Sequence, residues 1–97
     1  MSIITERPDT DYSLEDLFKT DYESWIVVVY DNNHNSFDEV IHILMVATAC
    51  TLEEASIETW EIDHLGKSVV HHGGREECER VADIIRTIGV RVEVVEE

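Results

Sequence analysis

Between Trp25 and Tyr30 the chain reads Trp-Ile-Val-Val-Val-Tyr, six apolar or aromatic residues rich in β-branching. Branched side chains lose rotamer freedom against a helical turn, so this run fits a strand buried on both faces. It breaks into Asp31-Asn32-Asn33-His34-Asn35-Ser36. Such side chains hydrogen-bond their own backbone and tolerate left-handed geometry, which predicts an ordered loop. Ser36 then has Glu39 three residues on, the spacing of a capping box, so a helix starts there. A buried strand, a carboxamide-rich loop and a capped helix together hold polar groups at the rim of a core. A ligand recess is the expected product.

The first helix is expected from Ser36 to about Ala49. Phe37, Val40, Ile41, Leu44 and Thr48 make its inner stripe, widened by Ile43 and Ala47. Thr51 with Glu54 forms a second capping box. Leu52, Ala55, Ser56, Thr59 and Ile62 line the inner side of the second helix, which Gly66 ends; Trp60 lies off that stripe, placed to cover an edge. Ser68 to His71 make a short second strand, and Gly73-Gly74 turn into a third helix with Cys78, Ala82, Ile85 and Ile88 inward. Gly89 stops it, and Val90 to Val94 alternate as a half-exposed last strand. The order β-α-α-β-α-β predicts one small sheet with helices packed on it, an α+β fold.

Residues 1–23 carry seven acidic and two basic residues and the only proline, Pro8. They are expected to form a mobile arm ahead of a core domain at 24–97, with Leu14, Leu17 and Phe18 spaced for one amphipathic turn. The chain has 22 acidic against 7 basic residues, a net charge of −15, which disfavours nucleic acid and anionic lipid and attracts cations. Cys50 and Cys78 are too few for a disulfide framework and fit apolar helix positions, so both are expected reduced and buried. The start lacks a basic and then apolar leader, and no apolar run reaches membrane-spanning length. A cytoplasmic protein is expected.

His71 and His72 are adjacent on a strand and point to opposite faces, and no His-x3-His or Cys-x2-Cys spacing occurs. No metal or other cofactor is expected. Without a phosphate-cradling glycine loop or a cationic helper beside either cysteine, the composition does not favour an enzyme.

The stretch after the first strand resembles the ClpS family, adaptors that bring proteins with destabilising N-terminal residues to a Clp AAA+ unfoldase. That family has an apolar strand, Asn-Asp-Asp, a Thr-Pro-Met-like turn and a helix starting Glu-x-Val. The equivalents are Asp31-Asn32-Asn33, Asn35-Ser36-Phe37 and Asp38-Glu39-Val40. The likeness continues in Ile62-Asp63-His64-Leu65-Gly66-Lys67, similar to Val-His-x-x-Gly-Lys, and ends with Gly89 to Val94.

The resemblance implies a three-stranded antiparallel sheet, and a site for a substrate's free α-amino group at the positions held here by Asp31, Asn32 and Asp63. An α-ammonium offers three donors and one charge, so converging acceptors, at least one anionic, suit it. Asp63 replaces a histidine, which makes the site more anionic. The plainer alternative is that Asp31 caps the loop and Asp63 ends the helix near solvent. The resemblance further implies an apolar hole at Asn35, Phe37, Val40, Thr59, Ile62 and Val90. Phe37 and Thr59 stand where methionines are common, so the preferred first residue is open among Phe, Leu, Tyr and Trp. Core packing alone is the alternative for Val40 and Ile62.

The implied partners are a ClpA- or ClpC-like AAA+ unfoldase and proteins with hydrophobic N-terminal residues. Docking falls to the third helix, where Glu76 and Glu79 are in register. Val81 takes the place of a lysine used in docking and Ile84 that of a polar residue. These two either build a different docking surface or dimer contact, or widen the core; a monomer is expected, with a weak dimer as the alternative. The rival from another class is an interaction module without a peptide pocket, similar to the ribosomal stalk protein's C-terminal domain and docking through the third helix or the arm.

Overall fold

A computed structural model describes residues 24–97; the arm expected over 1–23 lies outside the described residues. The elements are β1 (Trp25–Tyr30), α1 (Phe37–Thr48), α2 (Leu52–Leu65), β2 (Lys67–Gly73), α3 (Arg75–Arg86) and β3 (Val92–Glu96). They form a three-stranded antiparallel sheet in the order β2-β1-β3, so the most apolar strand is central.

Both capping boxes are present. Ser36 Oγ accepts from Glu39 N at 3.1 Å while Glu39 Oε1 accepts from Ser36 N, and Thr51 and Glu54 repeat the exchange. Gly66 ends α2 in the left-handed region at φ 91°, a conformation that a side chain penalises.

The helices cover one face of the sheet. Val27 and Val29 are fully buried and join Val40, Ile43 and Leu44 of α1, Ala55 and Ile62 of α2, and Cys78, Ala82 and Ile85 of α3. Trp25 packs against the same core, while on the other face Ile26 and Tyr30 are half-buried and Val28 is buried, so β1 is closed on the helix side and partly open on the other.

Several boundaries differ from expectation. β2 reaches Gly73 because all of β1 pairs with it, Trp25 opposite Gly73 and Tyr30 opposite Lys67, with a register shift between Val27 and Val28. β3 starts two residues late, at Val92, since Val90 faces the core and Arg91 ties back through Tyr30 N–H to its carbonyl at 3.0 Å. Leu52 is exposed: as the first residue past the cap of α2 it overhangs the core. Cys50 is half-buried in the α1–α2 link and not on a helix, whereas Cys78 is buried on α3.

Val81 is corrected as a docking residue. It is 4% exposed and packs in the core, because α3 turns Cys78, Val81, Ala82 and Ile85 inward at helical spacing. Ile84 is half-buried against the same core, while Glu76 and Glu79 stay exposed. The widened apolar face of α3 is therefore core.

Candidate functional site

Where β1 ends, the polar loop, the start of α1, the end of α2 and the residues before β3 enclose a recess of about 40 Å³. Asp31, Asn32, Asn35, Phe37, Val40, Thr59, Ile62, Asp63 and Val90 all line it, together with Val29, Tyr30 and Ser36. Residues from three separate stretches of the chain, 29–40, 59–63 and Val90, thus meet at one opening. Backbone bonds set its frame: Asp31 N–H donates to the Gly66 carbonyl at 2.9 Å, which ties the loop to the end of α2.

Inside the loop, Asn32 Oδ1 accepts the backbone N–H groups of His34 and Asn35, both at 3.2 Å, and its Nδ2 donates to Asn35 Oδ1 at 2.9 Å. Asn35 Nδ2 donates to the Ile88 carbonyl at 2.8 Å and to Glu39 Oε1 at 3.3 Å. Both amides are therefore occupied in holding the loop. Asn35 is a strut between the loop, the cap of α1 and the turn before Val90, and Asn32 shapes the rim. The recess is also lined by Asp31 and Asp63, both exposed. Asp63 Oδ2 lies 3.5 Å from His64 Nδ1. That Nδ1 also donates to the Trp60 carbonyl at 3.0 Å, and the His64 ring stacks on Trp60 with centroids 4.3 Å apart.

The floor is apolar. Val40, Ile62 and Val90 are buried, and Thr59, 2% exposed, spends its hydroxyl on the Ala55 carbonyl at 2.7 Å. Thr59 therefore acts as an apolar wall. Phe37 is 44% exposed at the rim, so its ring borders the opening and is not part of the core.

Two groups escape the sequence reading. Tyr30 Oη donates to Glu93 Oε1 at 2.8 Å, Arg91 Nη2 donates to Glu93 Oε2 at 2.7 Å, and the Arg91 guanidinium sits 4.3 Å from the Tyr30 ring centroid. The Arg91 bond, then the Tyr30 bond, holds the Glu93 carboxyl below its ordinary range. Glu58 on α2 buries Oε1 without a hydrogen-bond partner among the described residues, and burial, then Glu54 and Glu61, pushes its carboxyl up to about 7. The Glu54, Glu58 and Glu61 spacing at i, i+4 and i+7 was the available signal. Among the described residues no group of three or more His, Cys, Asp or Glu converges as a metal site. No described helix is long and apolar enough to cross a membrane.

Glu58 gives a pH dependence whose sign is fixed. A carboxyl raised on folding favours the protonated native state, so stability is highest below the unfolded value, near pH 4.5, and falls as pH rises through about 7. With the group half-buried and solvent-screened, the loss is about 1 kcal/mol. Urea unfolding at pH 5 and pH 8 is expected to show that loss in the wild-type chain and not in Glu58→Gln. Asn35→Ala removes three hydrogen bonds and is expected to cost about 1–2 kcal/mol in the same assay, given net values near 1 kcal/mol for one bond.

The model of the family described as "ATP-dependent Clp protease adaptor protein ClpS" matches residues 20–92 of the chain. The chain is a member of the ClpS family. Human E3 ubiquitin-protein ligase UBR1 is 32% identical to this ClpS-family chain over 65 residues, covering 67% of the chain and 4% of the ligase. Caenorhabditis elegans E3 ubiquitin-protein ligase ubr-1 is 23% identical over 93 residues, covering 89% of the chain and 4% of its own length. The chain thus spans only a small part of these curated relatives. The solved structure of Agrobacterium tumefaciens ClpS2 bound to L-phenylalaninamide shares the fold, with a TM-score of 0.72 at 14% identity over 77% of this chain and 98% of that one.

Proposed function

We propose that this ClpS-family chain is a non-catalytic adaptor. It binds proteins by a bulky hydrophobic first residue and its free α-amino group, and delivers them to a ClpA- or ClpC-like AAA+ unfoldase. The observation that supports the reading is that Asp31 and Asp63, both exposed, line one recess with an apolar floor. A cation with three donors is held at the rim while the first side chain enters the hole. Membership of a family described as Clp protease adaptors supports the role, and the likeness to a ClpS2 solved with L-phenylalaninamide, an amine-bearing aromatic ligand, supports the ligand class. Exposed Glu76 and Glu79 on α3 are the residues we assign to docking with the unfoldase.

The recess also ranks its ligands. The recess is small, about 40 Å³, and its floor is apolar and buried. Labelled peptides beginning with Leu are therefore expected to bind more tightly than those beginning with Trp, and Arg-first peptides least of all. Acetylating the amine is expected to abolish binding in every case. Equal binding of free and acetylated peptides in a fluorescence-anisotropy titration would overturn the reading and leave an interaction module of the same fold.

A further inference from the structure

The outer face of α2 carries apolar surface and unbalanced charge together. Glu53, Ile57, Trp60 and His64 follow one another at steps of four, three and four residues, so they form one row pointing away from the core. Ile57 is 57% and Trp60 49% exposed, and neither belongs to the core. The Trp60 ring stacks on His64 with centroids 4.3 Å apart, which holds it as a flat plate beside the helix. α2 also holds Glu53, Glu54, Glu58, Glu61 and Asp63, and neither lysine nor arginine. α1 and β2, which pack against it, add Asp38 and Glu39 and a single strong cation, Lys67. Lys67 lies 5.9 Å from the Tyr30 ring, on the sheet side of α2 with Glu61 and Leu65. Glu58 registers the same imbalance from beneath. Its buried Oε1 has no hydrogen-bond partner among the described residues, and burial, then Glu54 and Glu61, raises its carboxyl.

We infer that the outer face of α2 is a docking surface for a cationic amphipathic helix of another protein. Ile57 and Trp60 receive its apolar row, and Glu53, Glu54 and Glu61 its flanking lysines or arginines. Charge complementarity selects this occupant. A second copy would set −15 against −15, and residues 1–23 bring seven acidic residues against two basic ones. Nucleic acid and anionic lipid are repelled for the same reason. A basic helix instead meets the carboxylates and an open tryptophan, the aromatic ring that best receives a lysine or arginine. Its apolar row takes Ile57 and Trp60 out of water. From Glu53 to His64 the helix rises about 16 Å, so a partner of roughly three turns covers the row. The inference stands apart from the recess, whose lining includes none of Glu53, Ile57, Trp60 or His64.

The test uses the whole chain and three fluorescent helical peptides, all N-acetylated so that a site for a free amine cannot take them. The first has one row of leucines flanked by lysines, the second the same residues with the leucines scattered round the helix, and the third glutamate for every lysine. The first is expected to bind about tenfold more tightly than the second, as burial of one or two apolar side chains provides, and the third not at all. Ile57→Ser with Trp60→Ser, both at exposed positions, is expected to erase that difference; thermal unfolding checks that the variant folds. Glu53→Gln with Glu54→Gln keeps the capping box, since glutamine serves in it, and is expected to weaken the first peptide about fivefold. Glu96→Gln with Glu97→Gln removes as much charge at the exposed end of the chain and is expected to change it by no more than about twofold. Equal binding of the first two peptides, a difference that survives loss of Ile57 and Trp60, or equal losses in the two glutamine pairs overturns the inference. So does a dimer in sedimentation that Ile57→Ser with Trp60→Ser dissolves, which would make a second copy the occupant. A difference that emerges only after Leu14, Leu17 and Phe18 are replaced by Ser also overturns it, by making residues of the chain itself the occupant. Failure of free-amine peptides to bind would count against the recess reading alone.

Discussion

Replacing both Asp31 and Asp63 by Asn is expected to weaken binding of free-amine peptides by about a hundredfold while leaving the unfolding curve in place. Both side chains are exposed at the mouth of the recess, so neither supports the core. Asn keeps the size and the acceptor oxygen but removes the charge, and a charged acceptor is worth roughly twice a neutral one. That difference is about tenfold for each residue, 1–1.5 kcal/mol in free energy. Since the proposed function has both carboxylates share one ammonium, the single variants need not add up to the double. Asn32 gives the contrast: its amide is committed to the loop, so its loss should act through the shape of the rim and cost stability as well. Titration of each variant with a Leu-first peptide, at low and at physiological salt, checks the result. Unchanged affinity in the double variant would mean that the amine is held elsewhere.

Val81→Lys is expected to destabilise the chain by about 3 kcal/mol or more, a large share of what a domain of this size has. Val81 is 4% exposed among Val, Ile and Ala side chains, and a lysine there must either bury its ammonium or break the packing of α3. Ile84→Gln, at a half-buried position, should cost about 1 kcal/mol. Urea unfolding measures both. A Val81→Lys chain as stable as wild type would return the residue to the surface and revive it as a docking position.

The same two residues show where sequence reasoning ends. A lysine position turned apolar is equally consistent with an interface and with a wider core. The choice depends on the rotation of α3 about its axis, which is set by contacts with β1, α1 and β3 and not by its own residues. Short-range chemistry was legible. Ser36 with Glu39 and Thr51 with Glu54 satisfy each other within one turn, so the starts of α1 and α2 fell where the spacing put them. The recess lining was legible because the family resemblance supplies its positions, and the structure brings all nine together. Asn35 shows the limit: its partner, the Ile88 carbonyl, lies 53 residues away, and no local pattern marks a bond of that range. Leu52 and Cys50 failed for a related reason. Both stand at helix ends, where periodicity fixes a direction but not whether anything lies in that direction.

The bonds from Asp31 N–H to Gly66 and from Tyr30 N–H to Arg91 fasten the mouth of the recess to two turns that are distant in sequence. Truncation anywhere between residues 31 and 91 would therefore delete a wall, and no shorter fragment should retain affinity. Occupancy and global folding become a single linked equilibrium. A ligand at a hundred times its dissociation constant would add about 2.7 kcal/mol to the unfolding free energy, so a simple thermal-shift screen could rank unlabelled first residues.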